Sequence, residues 1–212
     1  MRIGLQMPER LQQATADGVF YGFSQDWYTD EWRQRAGCGP TTATCLLAYC
    51  LGRDGDWPSG MDRRQIRYCM DNLWEYVTPS YGGLYKTRWM ADGLRRYLAA
   101  REISRYAVEM LAISVLPAYR PSAAAVVEFI RAGLEADSPV AFLNRHAGNE
   151  TEIDGWHWVP IVELDTDSET ARAVCYDEGI RKSFAPAAWN RETLLGGGLV
   201  YLRPRAGQDV VK

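Results

Sequence analysis

The sequence predicts an α+β fold in which a buried helix, carrying a cysteine at its start, meets an antiparallel sheet. Three observations predict it. Helical periodicity dominates the chain up to about residue 136, and apolar runs separated by turn residues dominate after it. Between Thr44 and Leu51 the chain reads Thr-Cys-Leu-Leu-Ala-Tyr-Cys-Leu, apolar on every side as a core helix is.

Ahead of that helix stands Ala36-Gly37-Cys38-Gly39-Pro40-Thr41. Proline suits the first helical position, where its fixed φ helps and its missing N–H costs nothing. Cys38 is therefore expected just ahead of the helix. Residues 52–60, rich in Gly and Asp with a Pro, form a loop. Asp62 then reads as the N-cap of a helix whose Ile66, Cys69, Met70, Leu73, Trp74 and Val77 recur at three and four. A further helix is expected over about 87–100, with Met90, Leu94, Tyr97 and Leu98 on its apolar stripe. A strand over 107–116, a helix over 122–136 with Val126, Ile130 and Leu134 aligned, and a strand over 140–144 follow. Three strands close the chain. The first starts near His157, turns at Asp165-Thr166-Asp167-Ser168, and returns from Ala171 to end at Asp177. Gly196-Gly197-Gly198 turns into the last, Leu199-Val200-Tyr201-Leu202. One domain over 1–212 is expected, with a helical insertion at about 56–105.

The chemistry concentrates on Cys38. Unpaired N–H groups and the positive end of a helix dipole favour thiolate over thiol, and the flanking glycines admit a substrate backbone. A turn into a core helix with an inert buried cysteine is the plainer alternative. Only two histidines exist, and His157 heads an apolar strand. A hairpin of the predicted length returns Asp177 to the level of His157, where a carboxylate fixes an imidazole's orientation and tautomer. Cys38, His157 and Asp177 thus supply nucleophile, base and orienter. Gln25, in Ser24-Gln25-Asp26-Trp27, offers an amide donor to an oxyanion. Alternatives stay open: His146 as base, Asp165 or Asn144 as orienter, and Gln34 as oxyanion donor. Trp27, Tyr28, Trp32, Trp156 and Trp158 suggest a groove wall, though tryptophans are as often core.

Gly37-Cys38-Gly39-Pro40-Thr41, the upstream Ser24-Gln25, a His heading an apolar strand and an Asp ending the next resemble the papain-like cysteine peptidases of the C39-like group. The resemblance covers about residues 20–55 and 138–203. It implies a papain-like fold, a central helix with the nucleophile at its N-terminus packed on an antiparallel sheet. It also implies Cys38 as nucleophile, His157 as general base and acid, Asp177 as orienting carboxylate and Gln25 as oxyanion donor. Two departures stand out. Many relatives place a proline after the triad aspartate where this chain has Glu178-Gly179, and the glutamine spacing varies within the group. The implied activity is hydrolysis of a peptide or amide through a thioester. The rivals are acyl transfer or transpeptidation, and a catalytically silent binding module. Leader-peptide processing relatives are often fused to a transporter, and no such segment is read here.

Composition narrows the partners. A net charge of -3 with no concentrated Lys/Arg block argues against nucleic acid, and pairs such as Arg63-Arg64 and Arg95-Arg96 read as solvated helix faces. No run reaches the roughly 20 apolar residues of a membrane span. The N-terminal residues lack an apolar core and a small-residue cleavage site, so a cytoplasmic location is expected. Five cysteines, an odd number without C-x-x-C spacing, fit neither a disulfide framework nor a zinc site. No phosphate-cradling glycine motif occurs. No cofactor or metal is expected, and the substrate is a peptide or other amide. Oligomeric state is not legible in the sequence.

Overall fold

In the computed structural model, which describes residues 1–166 and 170–205, the cysteine-bearing helix α2 (Cys38–Arg53) is buried along nearly its whole length. Leu46, Leu47, Tyr49 and Cys50 are fully buried in it. Each such leucine contributes about 1.5–3 kcal/mol by leaving water. The helix starts two residues earlier than its proline suggested: Gly37 is the N-cap, Cys38 is the first helical residue, and Pro40 is third. Proline is tolerated there because the first turn's N–H groups lack intrahelical acceptors anyway. The short helix α1 (Glu31–Ala36) leads into Gly37, with Asp30 Oδ1 accepting from the Arg33 N–H at 2.8 Å.

Helix α3 (Arg63–Trp74) opens on a reciprocal capping box between Asp62 and Gln65. It ends at Trp74, so Val77 lies past the helix, still fully buried. Helix α4 (Thr87–Ala100) runs as expected, and α5 (Ala123–Glu135) follows the Ser122 cap.

The sheet is antiparallel. Its strands are β4 (Tyr106–Ile113), β5 (Val140–Asn144), β6 (His157–Asp165), β7 (Arg172–Asp177), β8 (Ile180–Phe184) and β9 (Gly197–Pro204), in the order β4-β9-β5-β6-β7-β8. Strand β4 stops at Ile113, short of the expected 116. A seventh strand, β1 (Arg2–Gly4), pairs with the far half of β6. A small hairpin of β2 (Gln12–Thr15) and β3 (Gly18–Tyr21) stands apart. Four strands rather than three close the fold, and helix α6 (Pro186–Glu192) separates the last two. Of the turn after β6, Asp167 and Ser168 lie outside the described residues.

Helices cover both faces. Thr87 of α4 meets Gly198 on one face, and Gly133 of α5 meets Val140 and Tyr201 on the other. Helix α2 packs chiefly on β6, which brings its N-terminal end to the strand that begins with His157.

Between β6 and β7 the register slips by one. Asp165, Leu164 and Glu163 pair with Arg172, Ala173 and Val174, but Ile161 pairs with Cys175, leaving Val162 as the extra residue of a bulge. The loop between β7 and β8 is a two-residue turn, with φ of 48° at Glu178 and 92° at Gly179. Positive φ at both positions is what a tight hairpin of matching twist requires.

Candidate active site

His157 is the first residue of β6 and Asp177 the last of β7. Their side chains meet, His157 Nε2 to Asp177 Oδ1, at 2.8 Å. The other carboxylate oxygen of Asp177 accepts from Lys182 Nζ at 2.7 Å. Burial pushes Asp177 up, but its bonds to His157 and Lys182 outweigh this and hold it below its usual range. An ionised carboxylate only accepts, so His157 Nε2 carries the proton and Nδ1 is left for another partner. Cys38 borders the same cleft as the ring and is near enough to act on its charge. Burial pushes His157 down, while the hydrogen bond to Asp177 and the neighbouring Cys38 lift it to about 10.

Cys38 is half-buried and free, in the first turn of α2. It lines a cleft with Gln25, His157, Asp177 and Glu178. Ser24 caps the turn that holds Gln25, accepting from the Asp26 N–H at 3.1 Å. The Gln25 Oε1 is buried without a hydrogen-bond partner. Gln34 is committed elsewhere: its Nε2 donates to the Tyr28 carbonyl at 2.8 Å.

The remaining alternatives are similarly occupied. His146 Nδ1 accepts from the backbone N–H groups of Gly148 and Leu194, at 3.1 and 3.3 Å. Asn144 donates to the Asp154 carbonyl and accepts from Trp189 Nε1, each at 2.8 Å. Asp165 sits at the opposite end of β6 from His157, paired in register with Arg2 and Arg172.

A solved structure shares this fold. The crystal structure of UfSP from C. elegans superimposes with a TM-score of 0.52 at 11% sequence identity, covering 96% of this chain and 34% of that one. The fold is papain-like. At that identity the likeness is one of fold alone, and this chain spans about a third of the length of the UfSP chain. No family model and no curated protein sequence matches it.

Of the aromatic residues read as a groove wall or core, Trp156 and Trp158 border the pockets beside Cys38. Tyr28 and Trp158 are core residues, 2% exposed, although Trp158 also borders the cleft. Trp156 and Trp32 are exposed. The arginine pairs are not merely solvated: Arg63 lies over Phe20 and Trp27, Arg95 donates to the Val108 carbonyl and Arg96 to that of Tyr76.

Sequence reasoning missed Lys182, Glu178 and Arg145. Lys182 faces Cys175 across β7 and β8, so its place beside Asp177 follows only once β8 is known. Among the described residues no group of three or more His, Cys, Asp or Glu side chains gathers to hold a metal ion. Nor is any helix among them long and apolar enough to cross a membrane.

Proposed function

We propose that the chain is a cysteine peptidase or amidase acting through Cys38, His157 and Asp177. The observation that carries this reading is a single imidazole bonded to a buried carboxylate in a cleft that it shares with a thiol at a helix N-terminus. The papain-like fold supports it.

In the proposed cycle His157 holds the proton taken from Cys38, and the thiolate attacks the substrate carbonyl, forming a C–S bond. The Gln25 amide and the Cys38 backbone N–H stabilise the oxyanion. As the tetrahedral adduct collapses, His157 gives its proton to the departing amine nitrogen and the C–N bond breaks, leaving a thioester. Water, deprotonated by His157, then attacks the thioester; the carboxylic acid leaves and the thiolate is regenerated. Asp177 holds the ring in one orientation throughout, and Lys182 fixes Asp177.

The test is hydrolysis of a complex peptide mixture read by mass spectrometry, for the wild-type protein and Cys38→Ala. Cleavage that disappears in the variant supports a peptidase. Adding a primary amine separates hydrolysis from acyl transfer, because a transferase returns amidated products. Cleavage equal in both proteins rejects the reading.

A further inference from the structure

We infer that the second slot bordering Cys38, next to the His157 cleft, is a subsite for a carboxylate borne by the substrate, read by the Arg145 guanidinium. This deepens the peptidase reading and rests on it. Cys38 borders both the cleft of His157 and this second slot, which Leu84, Tyr85, Arg145, Trp156 and Trp158 help to wall. A group in the slot therefore lies within about one residue of an attacked carbonyl.

Arg145 follows the last residue of β5. Because Asn144 pairs with His157, Arg145 comes opposite Trp156. Its guanidinium carbon stands 5.3 Å from the Trp156 ring centre and 5.9 Å from that of Tyr85. Those rings are stacked on each other and pinned: Trp156 Nε1 donates to the Gly82 carbonyl at 2.9 Å, and Trp156 holds a φ of 61°. Stacking occupies the face of a guanidinium and leaves its N–H edge for an acceptor. Among the described residues no side-chain hydrogen bond or ion pair to that edge is found. The Nε of Arg145 is buried without a hydrogen-bond partner, and Arg145 forms no ion pair among the described residues.

Some arginines elsewhere in the fold are ion-paired, Arg53 with Asp54 and Asp137 and Arg131 with Glu128 and Glu135. A guanidinium with an unpartnered donor, bordering the slot that Cys38 also lines, is placed to give a substrate carboxylate a charged partner. The surrounding charges agree. Arg35 borders the same slot and Lys86 Nζ lies over the Tyr85 ring, whereas the acidic Glu178 borders the cleft on the His157 side. An anionic group is steered towards Arg145 and away from Glu178.

The probes are N-chloroacetyl dipeptides carrying Glu or Gln, each as C-terminal acid and C-terminal amide. The rate of Cys38 alkylation is read by peptide mapping in the wild type, Arg145→Gln and Arg145→Lys. An acidic probe should react about tenfold faster than its neutral match in the wild type. That ratio should fall to near one in Arg145→Gln and be partly kept in Arg145→Lys. The Glu/Gln and acid/amide pairs separate a side-chain carboxylate from a chain terminus. Equal rates in the wild type, or a preference unchanged in Arg145→Gln, overturn the subsite while neutral probes still label Cys38 selectively. If neutral probes do not select Cys38, the peptidase reading fails instead. The slot is then read by tryptophan fluorescence, titrating Cys38→Ala protein with the N-acetyl dipeptides. Preference for the acids, lost with Arg145→Gln, upholds the subsite, and no preference overturns it.

Discussion

His157 and Asp177 lie on the same face of the sheet because β6 carries one extra residue, Val162, between its pairings with Val174 and Cys175. Directly paired residues share a face, and alternate residues along a strand do too. With the bulge, Ile161 pairs with Cys175, so His157 and Asp177 fall on one side. An unbroken register would set Asp177 opposite Pro160, on the side of Trp158, and the 2.8 Å bond could not form.

The charge state of His157 follows from that bond. Its pKa lies raised to about 10, above the ordinary 6.5, so the folded ring stays doubly protonated at pH 8. In Asp177→Asn the opposing effect of burial is left less balanced, and the ring should be neutral at pH 8. Imidazole nitrogen chemical shifts in NMR check both. A pKa raised by folding contributes stability fully below about 6.5 and loses it as pH rises towards 10. The stability gap between wild type and Asp177→Asn should therefore narrow over that window.

Lys182 acts through Asp177. Lys182→Met removes a charge-assisted bond of about 1.5–3 kcal/mol and should lower kcat about tenfold with KM unchanged. Lys182→Arg should recover part of the loss.

Gln25 and Gln34 separate by kinetics. Gln25→Ala should lower kcat about a hundredfold if its amide holds the oxyanion. Gln34→Ala, which loses the bonds to the Tyr28 and Asp26 carbonyls, should leave kcat near the wild-type value and lower thermal stability slightly.

The turn beside Asp177 tolerates little. Gly179 has a φ of 92°, and a Cβ there would come within 2.5 Å of the Phe20 ring. The Gly179 backbone also exchanges two hydrogen bonds with Tyr21. Gly179→Ala should cost roughly 2–3 kcal/mol and lower Tm by roughly 5–10 °C, read by calorimetry.

The parts legible in the sequence are those with a local signature. Asp62 and Ser122 announce their helices because side-chain caps are local, and the apolar run from Cys45 to Leu51 announces α2. Strand β6 is legible from its apolar run. Strands β1 and β8 are not: Arg-Ile-Gly is too short to carry a period, and Ile-Arg-Lys-Ser-Phe is an edge strand held by its neighbour rather than by an apolar face. The bulge at Val162 depends on a partner strand, so no local pattern records it. Arg145 reads as an ordinary surface arginine until β5 and β6 bring it against Trp156.

The account turns on Cys38 being a nucleophile held beside His157. Burial pushes Cys45 and Cys50 up to about 12 and raises Cys69 and Cys175 as well, so these four should react slowly at neutral pH. Iodoacetamide titration at pH 7 with peptide mapping, in the wild type and His157→Ala, measures the contrast directly. Cys38 should be alkylated at least about tenfold faster than any other cysteine, and His157→Ala should remove that fast phase. Alkylation of Cys38 no faster than the rest, or a fast phase untouched by His157→Ala, would contradict the account.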